Sequence, residues 1–173
     1  MKTGLFHLYI GDGKGKSTAA IGLALRMLGS GHSVTLVQFL KDGRSSELEP
    51  LRKLGAAVFS GNPDGSPVKF SFQMTIEEKE FALRLHGLYL KQAAETRPEL
   101  LILDEACAAL ETGLLDEQLL RRTVLLRPDG QEIVITGRNP TQWMLKEADY
   151  VTEMKCIRHP YQNGIQARYG VEF

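Results

Sequence analysis

The sequence predicts an α/β fold: a mostly parallel sheet with helices on both faces. Strand-like and helix-like stretches alternate along the chain. Several strand candidates are apolar at every position, as in Leu100–Leu103, which marks strands covered on both sides. A glycine-rich turn joins the first strand to the first helix.

Leu5–Ile10 reads as a short buried strand. Residues 18–28 (TAAIGLALRML) are rich in helix formers and are stopped by Gly29 and Gly31. Val34–Phe39 is a second strand, and Glu47–Leu54 fits a short helix. Gly61–Pro67 (GNPDGSP) holds two glycines and two prolines, so it is a loop and a candidate lid over an active site. Thr75 then opens a long helix, with Glu78 completing a capping box. Helical spacing puts Phe81, Leu85 and Leu88 on one face, beside Ala82, Tyr89 and Ala93. Pro98 lies at or just beyond its end. Leu100–Leu103 is the third strand. Asp116 is placed to cap a helix running through Leu119, Leu120 and Val124. Glu132–Thr136 is a strand. Asn139 followed by Pro140 reads as an N-cap with proline at the first helical position, with Trp143 and Met144 inside. Tyr150–Ile157 alternates as a last strand, and the tail from His159 is loop-like.

The chain has 173 residues, 43% of them hydrophobic and 24% charged. That composition excludes wholesale disorder and gives one expected domain, residues 1–173. Lys plus Arg and Asp plus Glu are equal at 21 each, so no global field draws the chain to nucleic acid. No apolar run reaches membrane-spanning length. No secretory leader is expected, no Cys-x-x-Cys pair occurs, and Cys107 and Cys156 read as small core residues. A cytoplasmic protein without membrane or nucleic-acid partners is expected.

The strongest motif is Gly11-Asp12-Gly13-Lys14-Gly15-Lys16-Ser17-Thr18, between a strand and a helix. Glycines let successive backbone N–H groups converge on one anion, and the helix N-terminus adds its dipole. Lys16 brings a mobile charge, and the Ser17 hydroxyl is placed to ligate Mg²⁺. The layout is that of phosphate-loop NTPases, including the RecA-like group. The usual pattern begins with glycine where this chain has Ile10, so the loop is one residue short. Asp104 and Glu105 follow the third strand, where acids face the ligand crevice. Either could hold Mg²⁺, while Asp104 could equally cap the next helix. Arg138, after the strand ending at Thr136, could reach a phosphate or remain a surface residue. Phe70 and Phe72 point to one side if the segment is extended. They could cover a flat ligand or pack the end of the sheet, and packing is the plainer expectation from the residues alone. The four histidines show no metal spacing and read as structural.

Taken together, these residues resemble the phosphate-loop family of ATP:corrinoid adenosyltransferases over nearly the whole chain. The short loop Gly11–Thr18 resembles the family's own, which usually has Asn at the position of Asp12. Val37-Gln38-Phe39-Leu40-Lys41, Leu101-Ile102-Leu103-Asp104-Glu105 and Thr136-Gly137-Arg138-Asn139-Pro140 with Trp143 match its other motifs. So do His159-Pro160 to Gly164, Gln166-Ala167-Arg168 and Gly170-Val171-Glu172-Phe173. The resemblance implies transfer of the 5′-deoxyadenosyl group of ATP to the Co(I) of a reduced corrinoid, with inorganic triphosphate leaving. It implies triphosphate on Gly11 to Thr18, Mg²⁺ on Ser17 with Asp104 or Glu105, and Lys16 and Arg138 as catalytic residues. ATP would lie reversed along the loop compared with ordinary ATPases. Phe70 and Phe72 match a Phe-x-Trp pair beneath the corrin ring, with Phe72 in place of the tryptophan. Many relatives carry an N-terminal extension over the corrinoid, so here the site is expected to be more open or closed by the Gly61–Pro67 loop. A reductase such as a flavoprotein and a homodimeric state are implied by the same resemblance.

Other classes share the phosphate loop. A recombinase-type motor would need nucleic-acid loops, which the neutral charge disfavours. A small kinase or ATPase acting at the γ-phosphate would produce ADP, and a regulatory nucleotide-binding module would produce nothing. A GTPase would need an Asn-Lys-x-Asp motif, which does not occur.

Overall fold

The computed structural model describes residues 3–172, so Phe173 of the resemblance lies outside the described residues. Six strands form one sheet: β1 (Phe6–Ile10), β2 (Val34–Gln38), β3 (Ala57–Ser60), β4 (Leu100–Asp104), β5 (Glu132–Thr136) and β6 (Tyr150–Glu153). Their order is β3-β2-β4-β5-β1-β6 and all five pairings are parallel. The α/β class read from the sequence is therefore the observed one.

The helices are α1 (Lys16–Gly29), α2 (Leu48–Lys53), α3 (Ile76–Glu95), α4 (Ala106–Glu111), α5 (Glu117–Leu125) and α6 (Gln142–Glu147). Strand alternation splits the core in two. Leu100 and Ile102 of β4 join Val34, Leu36 and Val134 beneath α1 and α2, where Ala20, Ala24 and Met27 pack. Leu101 and Leu103 point the other way, with Phe6, Leu8, Ile133 and Ile135, onto α3 to α6. Every β4 residue is buried, which explains its unbroken apolar run. Truncating one such leucine to alanine costs about 2–5 kcal/mol.

Chain connections leave β1 toward β2 on one side, and β6 lies on the other. Such a reversal opens a crevice at the carboxyl ends of the central strands. The glycine-rich loop, Asp104 and Thr136 all lie at that edge.

Local signals held where they depend on near neighbours. The Thr75–Glu78 capping box forms, with Glu78 N–H donating to Thr75 Oγ1 at 3.2 Å and Thr75 N–H donating to Glu78 Oε2 at 2.9 Å. Asp116 caps α5 by accepting from Leu119 N–H at 2.7 Å. Other expectations are corrected. The buried residues of α3 are Leu85, His86, Leu90 and Ala93, while Phe81 and Leu88 are exposed. Helix α6 starts after Thr141 rather than Asn139. The Asn139 amide instead donates to both Glu111 oxygens, at 3.0 and 3.1 Å, and a side chain spent there cannot cap. β6 ends at Glu153, because the chain then turns onto the glycine-rich loop, where Met154 O accepts from Gly13 N–H at 2.7 Å. The short elements β3 and α4 were not expected, since four and six residues carry too little periodicity. Among the described residues no helix is long and apolar enough to cross a membrane.

Candidate active site

The loop after β1 is shaped by close packing as much as by turning. Gly11 has φ 102° and Gly15 has φ 117°, both in the region that favours glycine. A Cβ on Gly11 or Gly13 would sit 2.4 or 2.7 Å from the Met154 carbonyl oxygen. The segment after β6 thus requires glycine at both positions. The Asp12 side chain fastens the same segment, accepting from Cys156 N–H at 3.0 Å. That hydrogen bond, ahead of the charges of Arg138 and Lys16, holds its carboxyl below the usual range.

Lys16 opens α1 and curls back over the loop. Its Nζ donates to Gly11 O at 2.7 Å and Gly13 O at 2.8 Å, and the residue is only 8% exposed. Burial pushes its ammonium down from the usual lysine range, against the opposing charge of Glu105. The fixed ammonium and the first N–H groups of α1 face one recess of ≈190 Å³. Residues 12–18, Glu105, Arg138, His159, Val171 and Glu172 line it. Arg138 is exposed at this mouth. Glu172, from the tail, is paired with Arg168 at 3.0 Å, and that hydrogen-bonded partner brings its carboxyl down to about 2.

Asp104 is the hub behind the recess and is 1% exposed. Its Oδ1 accepts from Ser17 Oγ and Thr136 Oγ1, both at 2.7 Å. Its Oδ2 lies 2.9 Å from Lys41 Nζ and 3.4 Å from Gln38 Nε2. Gln38 also donates to Glu47 at 2.7 Å and accepts from Ser60 at 3.1 Å. Both Asp104 oxygens are therefore saturated by protein donors, and the aspartate does not cap α4. Glu105 differs. It has a φ of 61°, its N–H donates to Thr136 Oγ1 at 2.9 Å, and its carboxylate has no partner among the described residues. Burial, then the charge of Asp104, raises its carboxyl, while Lys41, Lys16 and Arg138 counter this.

Phe70 and Phe72 do not pack the sheet end, as the plainer expectation had it. They are 70% and 80% exposed and stack on each other at 5.5 Å and 9°. A 3₁₀ turn at Ser71–Gln73, rather than extended chain, brings the rings together.

A second cleft, of ≈260 Å³, lies between residues 61–69 and α3. The Gly61–Pro67 loop forms one wall; Gln38, Leu40 and Lys41 are also part of the lining. Sequence reasoning placed Gln38 and Lys41 only within a strand motif and missed their link to Asp104. The available signal was a glutamine at the end of a mostly apolar strand, with lysine three residues on. Thr136 and His86 were missed as well.

Known proteins match this chain over nearly its whole length. The family described as ATP:corrinoid adenosyltransferase BtuR/CobO/CobP matches residues 2–173. A corrinoid adenosyltransferase of Pseudomonas aeruginosa is 34% identical over 98% of this chain and 84% of its own length. One of Sinorhizobium is 31% identical over 98% and 80%. One of Salmonella typhimurium is 28% identical over 98% and 86%.

Proposed function

The chain belongs to the ATP:corrinoid adenosyltransferase family and is a transferase, and from that premise we propose that it moves the 5′-deoxyadenosyl group of ATP onto the Co(I) of a reduced corrinoid. The cobalt electron pair forms the Co–C5′ bond. The C5′–O bond breaks, and its electrons leave with inorganic triphosphate. The observation that carries this reading is that Lys41 lines both the cleft beside α3 and a recess shared with Ser17 and Thr18. Two substrates can therefore meet at one residue.

Co(I) is itself a strong nucleophile, so the chain need supply no activated serine or cysteine. Its task is to hold a highly charged leaving group. The N–H groups that open α1 face the recess, and Lys16 adds an ammonium already fixed at the loop. Arg138 reaches from the rim. Mg²⁺ would neutralise triphosphate oxygens, and the donor set fits it: the Ser17 hydroxyl and the unpaired, half-buried Glu105 carboxylate. Asp104, with both oxygens taken, orients Ser17 rather than facing the metal. Among the described residues no three His, Cys, Asp or Glu side chains gather, so the remaining positions would fall to triphosphate and water.

The stacked, exposed Phe70 and Phe72 offer the corrin ring an apolar platform with no lone pair for cobalt. A lower face kept free of a ligand eases Co(II) reduction. The electron comes from a separate reductase such as a flavoprotein. The proposed enzyme is a single cytoplasmic domain over residues 1–173, working as a homodimer.

Phosphorus NMR of a reaction with ATP, Mg²⁺ and chemically reduced cobalamin tests the reading. Inorganic triphosphate should appear in step with the Co–C bond. Stoichiometric ADP without a Co–C bond would instead identify a γ-phosphate enzyme.

A further inference from the structure

His86 lines the cleft beside α3 and is 8% exposed. Its Nδ1 lies 2.8 Å from the Leu114 carbonyl oxygen. A carbonyl only accepts, so Nδ1 carries the proton, and in the neutral ring Nε2 is a bare acceptor. Burial is the first reason the imidazole stays neutral, holding its pKa below the usual 6.5. The Phe39 ring meets it at 5.3 Å and 81°, which fixes the imidazole plane.

Nε2 has no partner among the described residues. Among the described residues, the fully buried side-chain atoms without partners are Thr141 Oγ1 and Trp143 Nε1. Nε2 is not among them, so it opens onto the cleft. The polar side chains lining that space are turned toward other partners. Lys41 and Gln38 serve Asp104, Asn62 serves Ser66, Lys69 serves Glu78, and Tyr89 donates to Gly61 O. A lone pair held in place at the cleft wall accepts from water until a donor on a ligand displaces it.

We propose that His86 determines specificity in this cleft: Nε2 accepts a hydrogen bond from an NH₂ group of a substrate. The site then takes an amide or amino group and rejects a carboxylate or oxo group of the same shape, which would set lone pair against lone pair. This rests on the adenosyltransferase reading, in which two substrates carry such a group: the carboxamides around a corrinoid and the 6-amino group of ATP.

Calorimetry on the full chain compares two pairs of probes. One pair is ATP and ITP; the other is fully amidated Co(II) cobinamide and Co(II) cobyrinic acid, its carboxylate counterpart. The wild type should prefer the NH₂ member of one pair by about 10- to 100-fold, and that pair identifies the source. His86→Asn keeps a donor for Leu114 O but loses the acceptor, and should bring that ratio close to one. His86→Gln carries a carbonyl oxygen out to the reach of Nε2 and should restore the preference. Thermal melting confirms that each variant is folded. No preference in either pair, or a ratio unchanged in His86→Asn, would overturn the proposal. Adenosylation is measured in parallel: a wild type that forms no Co–C bond refutes the functional reading, while the binding ratios still decide the role of His86.

Discussion

Lys41 Nζ lies 2.9 Å from Asp104 Oδ2, so the cleft beside α3 and the carboxylate that positions Ser17 share one ion pair. Burial works against the Lys41 ammonium, yet the adjacent Asp104 charge prevails and holds its pKa above the usual lysine value. The pair is asymmetric, because the Lys41 side chain is 28% exposed and that of Asp104 only 1%. Removing the lysine therefore strands the buried partner.

Lys41→Met should lower unfolding free energy by about 1–3 kcal/mol, the cost of leaving a charged acceptor short of a donor. Urea denaturation reads it. Asp104→Asn in the same background should recover much of the loss, since the charge that lacked a partner is gone. Equal stability of Lys41→Met and wild type would mean that water replaces the ammonium at no cost.

Lys16→Ala should weaken nucleotide binding by about tenfold to more than a hundredfold, the loss of one charge-assisted contact. Stability should fall by only about 1 kcal/mol, because Nζ ties down the Gly11 and Gly13 carbonyls and little else. Titration with ATP and thermal melting separate the two effects. Tight ATP binding by this variant would remove the loop from the triphosphate site.

Phe72→Ala should leave stability within about 0.5 kcal/mol, as expected for an exposed side chain. Adenosylation starting from Co(II) should suffer more than adenosylation from pre-reduced Co(I). Visible spectra of both reactions report the difference. Equal losses would remove Phe72 from the reduction step.

The pH dependence of stability follows from His86. Its folded pKa is depressed, first by burial, so the unfolded chain binds the proton more readily. The contribution is fully present above the unfolded value of 6.5 and is lost as pH falls through the folded pKa. Melting temperatures across this range should fall more steeply for wild type than for His86→Asn. Parallel curves would show that protonating the imidazole meets no resistance.

What the sequence by itself determined is local. The Thr75–Glu78 box and the Asp116 cap each depend on residues a few positions apart, so their physics is complete within a short window. The tertiary structure decided the rest. Gln38 becomes a partner of Asp104 because parallel pairing sets those two residues side by side at the ends of β2 and β4. Thr136 reaches Asp104 because β5 is the next strand over. Gly13 is required by the Met154 carbonyl, which arrives only when β6 lies beside β1. Asn139 gives up its cap to Glu111, and the Phe70–Phe72 stack stays in solvent because no element among the described residues covers it. In each case the deciding neighbour is distant in the chain, and strand order, which the periodicity of single elements does not encode, brings it near.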